Sequence, residues 1–474
     1  MTPHRSDSCA VPRPRLRLPI IGDLLVVNWT KPCQGLAREV EAHGGIIEHR
    51  IFDLRLITVA STALINEIND ESRWEKSLGL VLPELRAIGG DGLFTAYNHE
   101  PNWRMAHNIL MPAFTKAAMA SYHASMLEAA RELVSSWSQR AADGSWVDIP
   151  DEANRFTIEV VARAGLGHSF TKLNDPSDNP IISAFLRELT HARTTARTNA
   201  IPRYEQLLGR RRRNQHQRDK QYLSDQVGAI INARRSSGGS DNAPVNMLDV
   251  MLHETDPATG ESLDNANIAN QVLTLLIAGS ETSANAIAFA LHYLSTNPHI
   301  AAAARAEVDQ RWPDSGVPDM SFDDVAKLRY LRRIVDETLR LWPIAPGYFR
   351  QARTDTVLGG RYQFKAGDCV FVLLLSAHRD RAWGNDAAEF NPDRFLPGNI
   401  RRLAPHIYKP FGTGPRACIG RQFAIHEIML TLAIIVHQFV LESYPGYQLE
   451  VSERLTLKPD GLRIRFHRRQ RTPL

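Results

Sequence analysis

Cysteine is scarce: four in 474 residues, at positions 9, 33, 369 and 418. They fall at no repeating interval and form no CxxC pair, which excludes a zinc ribbon and a disulfide scaffold and fits a reducing, intracellular setting. No stretch reaches the roughly 20 apolar residues that a spanning segment needs near the N-terminus. The most apolar piece there, LPIIGDLLVV from Leu18, is interrupted by Pro19, Gly22 and Asp23. Neither a signal peptide nor an anchor is expected, so the protein is expected in the cytoplasm, with no membrane partner. Charge of one sign is not in large excess. A net charge of +4 is too weak to imply nucleic acid, though it allows a local basic face. No internal repeat and no low-complexity tract occurs.

What remains has the composition of a globular protein, 43% hydrophobic and 23% charged. Residues 1–22 include VPRPRLRLP and are expected as an extended arm, with 23–474 as one domain. IIEHRIF and LRLITVA read as a strand pair. Helical periodicity dominates from about Asn102 to Leu208 and again to about Trp342. RRSSGGSDNAPVN, from Arg234, reads as a loop, and GRRRRN at Gly209–Asn214 as a solvated face or loop. TVLGGRYQFKAGDCVFVLL reads as strand, turn, strand. A last helix follows Cys418, and RLTLKPDGLRIRF reads as a hairpin. The expected fold class is mainly α with a small β portion.

Three stretches break the local pattern. The first is AGSET, Ala278–Thr282, in the middle of an otherwise apolar helix. Local inconsistencies of this kind concentrate at functional sites. Gly279 leaves room for something to approach the backbone. Glu281 is costly to bury without a partner or a proton, and Thr282 offers a hydroxyl that can pass one. Read as structure alone, the stretch is a kink whose Ser and Thr bond back to carbonyls. The second is LRYLRRIVDETLRLWP, where Glu337 and Arg340 share one helix face among apolar neighbours, with Arg394 of FNPDRF placed to complete a buried network. The third is FGTGPRACIG, Phe411–Gly420. Its glycines 412, 414 and 420 permit positive φ and the approach of a flat ligand. Cys418 stands just before a helix whose N-terminus favours a thiolate, and Arg416 could pair with a carboxylate. A thiolate, a cation for an acid group and glycines for a planar neighbour together suggest haem.

On these residues the chain resembles the cytochrome P450 family, the haem-thiolate monooxygenases. FGTGPRACIG meets the Phe-x-x-Gly-x-Arg-x-Cys-x-Gly signature at every fixed position. AGSET resembles the family's oxygen-activation motif, and Glu337, Arg340 and Arg394 its Glu–Arg–Arg arrangement. The resemblance covers nearly the whole chain, and implies the cytochrome P450 fold with a long central helix over the haem. DGLFTAYNHEPNWRMAHNILMPAF and TLRLWPIAPG are similar to the bacterial fatty-acid hydroxylases fused to a reductase.

The resemblance implies haem b with Cys418 as axial thiolate, the iron's only protein metal ligand, in a loop with Phe411 and Gly412. Arg416 would bind a haem propionate, assisted by Trp103 and His107, and Ala278 would lie against the haem. Thr282 and Glu281 would deliver protons. Phe94, Ala278, Ile344 and Ala345 would wall the substrate pocket, and Glu337, Arg340 and Arg394 would hold the fold. LRLIT has Arg55 but lacks the tyrosine that those hydroxylases use with an arginine to anchor a fatty-acid carboxylate. A natural-product intermediate, free or carrier-bound, is therefore expected beside a fatty-acid-like substrate.

The chain ends at Leu474 after the haem domain, so a separate ferredoxin or flavodoxin with an NAD(P)H reductase is expected to bring electrons. Arg104, Arg401, Arg402, Lys409 and Arg421 are expected to form its docking patch. O2 and a small molecule are the other partners, and nothing demands more than a monomer. The alternatives are a peroxygenase, an oxidase performing coupling or desaturation, and a haem-binding sensor. Retention of Glu281 and Thr282 argues against the first and the last.

Overall fold

The computed structural model describes residues 10–170, 172–173, 179–198, 210–236, 246–314, 316–453 and 455–469. Cys9, Leu208, Gly209 and most of the loop after Ser236 lie outside them. The helices that matter below are α1 (Leu82–Gly89), α2 (Pro101–Leu110), α3 (Lys116–Ala142), α4 (Ile149–Val160), α5 (Pro180–Thr198), α6 (Arg210–Ser236), α7 (Asn265–Thr296), α8 (Arg329–Leu341) and α9 (Arg421–Gln438).

Helix α7 is the axis of the molecule. Asp264 caps it, its side chain accepting from the Asn267 N–H at 2.7 Å, which satisfies one orphan donor of the first turn. It is 32 residues long and apolar enough by composition to cross a membrane, yet 78% of its most apolar window is buried inside the molecule. Its apolar surface is spent on the core, where α4, α8 and α9 pack against it, in a cluster that includes Phe156, Leu339 and Ile434.

The expected strand pair forms. β1 (Ile46–Ile51) and β2 (Leu54–Val59) are antiparallel, Ile47 opposite Thr58. They continue into a five-stranded sheet with β3 (Trp74–Ser77), β4 (Gly347–Ala352) and β5 (Cys369–Leu373), in the order β1-β2-β5-β4-β3. Only β2 and β5 run parallel. A second cluster, centred on Trp74, Val370 and Val372, packs on this sheet.

Two strand expectations need correction. From Thr356 to Leu373 there are three strands: Thr356–Leu358 pairs with Tyr362–Phe364, while Cys369–Leu373 joins the main sheet. The segment around Leu457–Phe466 is no hairpin. Leu457–Asp460 pairs back with Glu450–Glu453, and Arg463–Arg468 is the central strand between Trp146–Asp148 and Phe439–Ser443. Within GRRRRN, Arg211, Arg213 and Asn214 are exposed on α6, as a solvated face requires.

Candidate active site

Helix α8, which carries Glu337 and Arg340, and helix α9, which follows the cysteine loop, both pack against α7, the helix that carries AGSET. Along that helix Leu275 and Thr282 keep accessible surface and Ala278 is exposed, while Ile277, Ser280 and Glu281 are buried. Spacings of three and four put the accessible residues in one stripe. An open stripe on a core helix means that a space lies along it. The Thr282 hydroxyl donates to the Ala278 carbonyl at 2.7 Å, and the Ser280 hydroxyl to Leu276 at 2.7 Å. The back-bonding of a kinked helix is therefore present together with the open stripe. With its proton committed to Ala278, Thr282 Oγ1 offers lone pairs to whatever occupies the space. Glu281, 8% exposed, accepts from Thr456 Oγ1 at 2.8 Å, and Asn285 Nδ2 donates to that same hydroxyl at 3.0 Å. Thr456 belongs to the turn between Glu450–Glu453 and Leu457–Asp460. It was not singled out in the sequence, because only the tertiary fold brings this turn to α7.

The cysteine loop is tightly folded. Gly412 and Gly414 take φ of +71° and +72°, the left-handed region that glycine enters at no steric cost. Gly420 does not: at φ −82° it caps α9. The Cys418 N–H donates to the Phe411 carbonyl at 2.9 Å. Cys418 carries accessible surface, yet protein surrounds it so closely that burial pushes its thiol up, against the Gly420 N–H and the charge of Arg421. The helix terminus expected to favour a thiolate is present, but burial of the charge outweighs it. The other two described cysteines differ. Cys369 is half-buried on β5 with its sulfur 3.4 Å from Ser77 Oγ, and Cys33 is half-buried.

Arg416 stacks on an aromatic ring and bonds to neutral oxygens. Its guanidinium lies 4.0 Å from the Trp103 ring centroid and donates to the carbonyls of Leu93 and Ala96 and to Asn98 Oδ1 at 3.1–3.4 Å. Among the described residues no acid pairs with it, and burial lowers its pKa to about 10 despite Glu100 and Glu75. Trp103 and His107 share one face of α2, ring centroids 5.1 Å apart. Burial and the charge of Arg416 both hold His107 below the usual histidine range.

Lys76 on β3 was missed by sequence reasoning. Its ammonium donates to the Phe94 carbonyl at 2.6 Å, and burial with Arg416 nearby lowers it to about 7. A lysine in a short strand carries no sequence signal of burial. Two enclosed cations without a carboxylate between them are costly unless an acidic ligand arrives. A soft sulfur, two such cations, an aromatic face and an apolar stripe are the donors that a planar, metal-centred, acid-bearing cofactor requires.

The segment Asp91–Asn98 joins the two sides. Its carbonyls are held by Arg416 and Lys76. Asp91 accepts from Asn102 at 2.6 Å, Asn267 at 2.9 Å and Asn270 at 2.8 Å, and Gln271 on α7 takes the Leu93 N–H at 3.0 Å. Phe94 is thus suspended between α7 and the cysteine loop, half-buried. Ile344 is 6% exposed and Ala345 exposed; the Ile344 carbonyl accepts from the Leu457 N–H at 2.9 Å. Arg55 points outward and pairs with Glu48 at 2.8 Å and Asp368 at 3.3 Å.

Behind the loop, Glu337 and Arg340 are both fully buried and bonded twice, at 2.6 and 2.8 Å. Arg394 Nε stands 3.3 Å from Glu337, but its directed hydrogen bonds go to the Trp383 carbonyl and Asp386. Arg340 also donates to the His378 carbonyl at 2.9 Å, and His378 Nε2 accepts the Lys409 N–H at 3.1 Å. The network therefore reaches the start of the cysteine loop. Arg104, Arg401, Arg402 and Arg421 are exposed and Lys409 half-buried; among the described residues none is ion-paired.

Comparison with known proteins agrees with this geometry. The model of the family described as cytochrome P450 matches residues 12–466. A bifunctional cytochrome P450/NADPH–P450 reductase of Bacillus cereus is 39% identical over 465 residues, 98% of this chain and 42% of the relative. A self-sufficient cytochrome P450 monooxygenase, CYP505E5 of Aspergillus niger, is 34% identical, covering 97% of this chain and 43% of its own length. The chain thus spans less than half the length of these curated relatives. A crystallised cytochrome P450, CYP102L1, superposes with a TM-score of 0.92 at 54% identity, covering 98% of this chain and 100% of that one.

Proposed function

Because the chain belongs to the cytochrome P450 family, whose cofactor is haem b held by an axial cysteine thiolate, we propose that it is a monooxygenase with Cys418 as that ligand. The observation that carries the reading is Cys418, exposed in a glycine-shaped loop at the start of α9, with Arg416 two residues away stacked on Trp103 and forming no ion pair among the described residues. When bound, the haem supplies O2 activation, placing one oxygen atom in the substrate and releasing the other as water with two electrons and two protons.

The chain's own residues supply the rest. Arg416, Lys76 and Trp103 would hold the propionates, with His107 packed against Trp103, and Phe411 and Gly412 shape the loop that carries Cys418. Thr282 fixes a hydrogen-bonding oxygen in the space beside Ala278. Glu281 keeps a proton-exchanging carboxyl one residue away, aimed by Thr456. Such placement controls where protons enter a site from which bulk water is kept. Glu337, Arg340 and Arg394 keep the loop's base rigid.

The walls named for substrate, Phe94, Ala278, Ile344 and Ala345, are apolar, and Arg55 is engaged elsewhere. Recognition therefore rests on shape and apolar contact, which suits a fatty-acid-like chain or an apolar natural-product intermediate. Residues 23–474 are read as one haem domain acting as a cytoplasmic monomer. Electrons come from a ferredoxin or flavodoxin and its NAD(P)H reductase, docked on the face of Arg104, Arg401, Arg402, Lys409 and Arg421. Turnover under isotopically labelled O2 tests the reaction class. One labelled oxygen in the product is expected; an unlabelled oxidised product contradicts it.

A further inference from the structure

The AGSET turn of α7 is gripped from α4 at two consecutive residues. Thr157, fully buried, donates its hydroxyl to the Ser280 carbonyl at 2.9 Å, with a longer contact of 3.2 Å to Asn154 in its own helix. Ser280 lies inside an unbroken helix, where its carbonyl already serves the N–H four residues on. The bond from Thr157 is an added one, from a different element. One turn later α4 runs into a π turn, Val161–Gly165. Such turns insert an extra residue and recur at functional sites. Here the turn brings Val161 against Gly279. A Cβ on Gly279 would stand 2.7 Å from Val161 Cγ2, closer than a Cβ carbon comes to a non-bonded neighbour. Gly279 has an ordinary helical backbone, so glycine is needed for space alone. The room that it leaves is filled by Val161, not by a ligand.

The two contacts differ in kind. One is a directed hydrogen bond and the other a steric stop, and both act within two residues of Ala278. A directed bond and a close packing contact on adjacent residues resist rotation of the helix about its axis. A rotation of about 20° would carry an atom roughly 4 Å from the axis by about 1.4 Å. A displacement near 1 Å in a reacting site costs on the order of a hundredfold in rate.

We infer that Thr157 and Val161 are positioning residues: together they fix the rotation of α7 and so aim Ala278 and Thr282 into the space beside Cys418. Neither touches that space, and the inference rests on the reading of Thr282 given above. It assigns α4 a part in the reaction, through the packing of an otherwise ordinary core helix.

The test uses the haem-loaded protein with two readouts. One is amide exchange across residues 278–286. The other is hydrogen peroxide released per NADPH consumed, with a ferredoxin and its reductase as electron source and dodecanoic acid as the probe compound. Thr157→Val should raise exchange about tenfold and peroxide at least threefold, while Thr157→Ser should keep both within twofold. Gly279→Ala should behave like Thr157→Val, and adding Val161→Ala should return both readouts to within twofold. If Gly279→Ala fails to fold, recovery of folding in the double variant supports the steric stop, and no recovery overturns it. Thr157→Val with unchanged exchange overturns the inference. So does raised exchange without extra peroxide, which would make Thr157 merely structural. Thr282→Ala is the reference. If it leaks no extra peroxide, the reading of Thr282 fails whatever α4 does. If it leaks while Thr157→Val changes neither readout, only the positioning claim falls.

Discussion

Arg416 stacks on Trp103 at 4.0 Å and has no acidic partner among the described residues. A desolvated cation over an indole is stabilised by about 2 kcal/mol, which offsets only part of the cost of enclosing the charge. The pair is complete when an acid group of the cofactor reaches it. Arg416→Ala should therefore speed haem loss by about tenfold or more, and Trp103→Phe by less. Transfer of haem to an excess of an apo-globin measures both. Equal loss rates in wild type and Arg416→Ala would show that the propionates lie elsewhere.

Thr282 and Glu281 are separable. Thr282→Ala should raise peroxide release, and Thr282→Ser should retain wild-type coupling, because the serine hydroxyl can still donate to Ala278. Thr456→Val should leave Glu281 and Asn285 without their shared hydroxyl. It should cost about 1–3 kcal/mol in urea unfolding and slow the proton-dependent step. A solvent isotope effect on NADPH consumption, larger in Thr456→Val than in wild type, is the expected signature.

Breaking the Glu337–Arg340 pair should cost about 3–5 kcal/mol, since the remaining charge would be buried alone. Arg340→Ala should yield mostly insoluble or haem-free protein. Arg394→Ala should cost less, because its contact with Glu337 is longer and its main partners are Asp386 and a carbonyl. Unfolding midpoints of soluble variants decide the order, and a larger loss in Arg394→Ala would contradict it.

His378 connects that network to the cysteine loop, and its titration has a definite sign. Burial and the nearby Arg340 hold its pKa down to about 3, while an unfolded histidine titrates near 6.5. Between these values the unfolded chain binds a proton that the folded one refuses. Stability should fall as pH drops from about 6.5 toward 3, by about 1.4 kcal/mol per pH unit for this residue. His378→Gln retains an acceptor for the Lys409 N–H and should remove one proton's worth of that slope. Urea unfolding at pH 7, 6 and 5 measures it; an unchanged slope would place a charged His378 in the fold.

Reversing the charge of Arg104, Arg402 and Arg421 together should slow electron transfer several-fold at low ionic strength, with the difference shrinking as salt rises. The carbon monoxide complex should be unaffected. A rate equal to wild type at low salt would locate the donor on another face.

Much of this site is legible in the sequence because its chemistry needs rare residues in fixed order. Cys418 and Arg416 share one loop, and Glu337 and Arg340 share one helix face, so local spacing suffices. What escapes is set by tertiary contact. Lys76 has the sequence neighbourhood of a surface strand residue, yet the Phe94 segment folds over it. Thr456 sits in a turn far along the chain, and Val161 explains Gly279 only once α4 lies against α7. The misread hairpin at Leu457–Phe466 has the same origin. Asp460–Gly461 does turn the chain, but the strands on either side find partners in different sheets, and period-two patterning does not encode the partner. Gly420 shows the converse, a glycine in a turn-rich motif that adopts an ordinary backbone.

The central claim is that the Cys418 sulfur is the iron ligand. The absorbance difference between reduced protein with and without carbon monoxide tests it most directly, in wild type and Cys418→Ala. The red-shifted Soret band of thiolate-ligated haem is expected in wild type, and its loss in the variant. A wild-type band at the position typical of histidine-ligated haem would contradict it, as would a thiolate band that survives in Cys418→Ala.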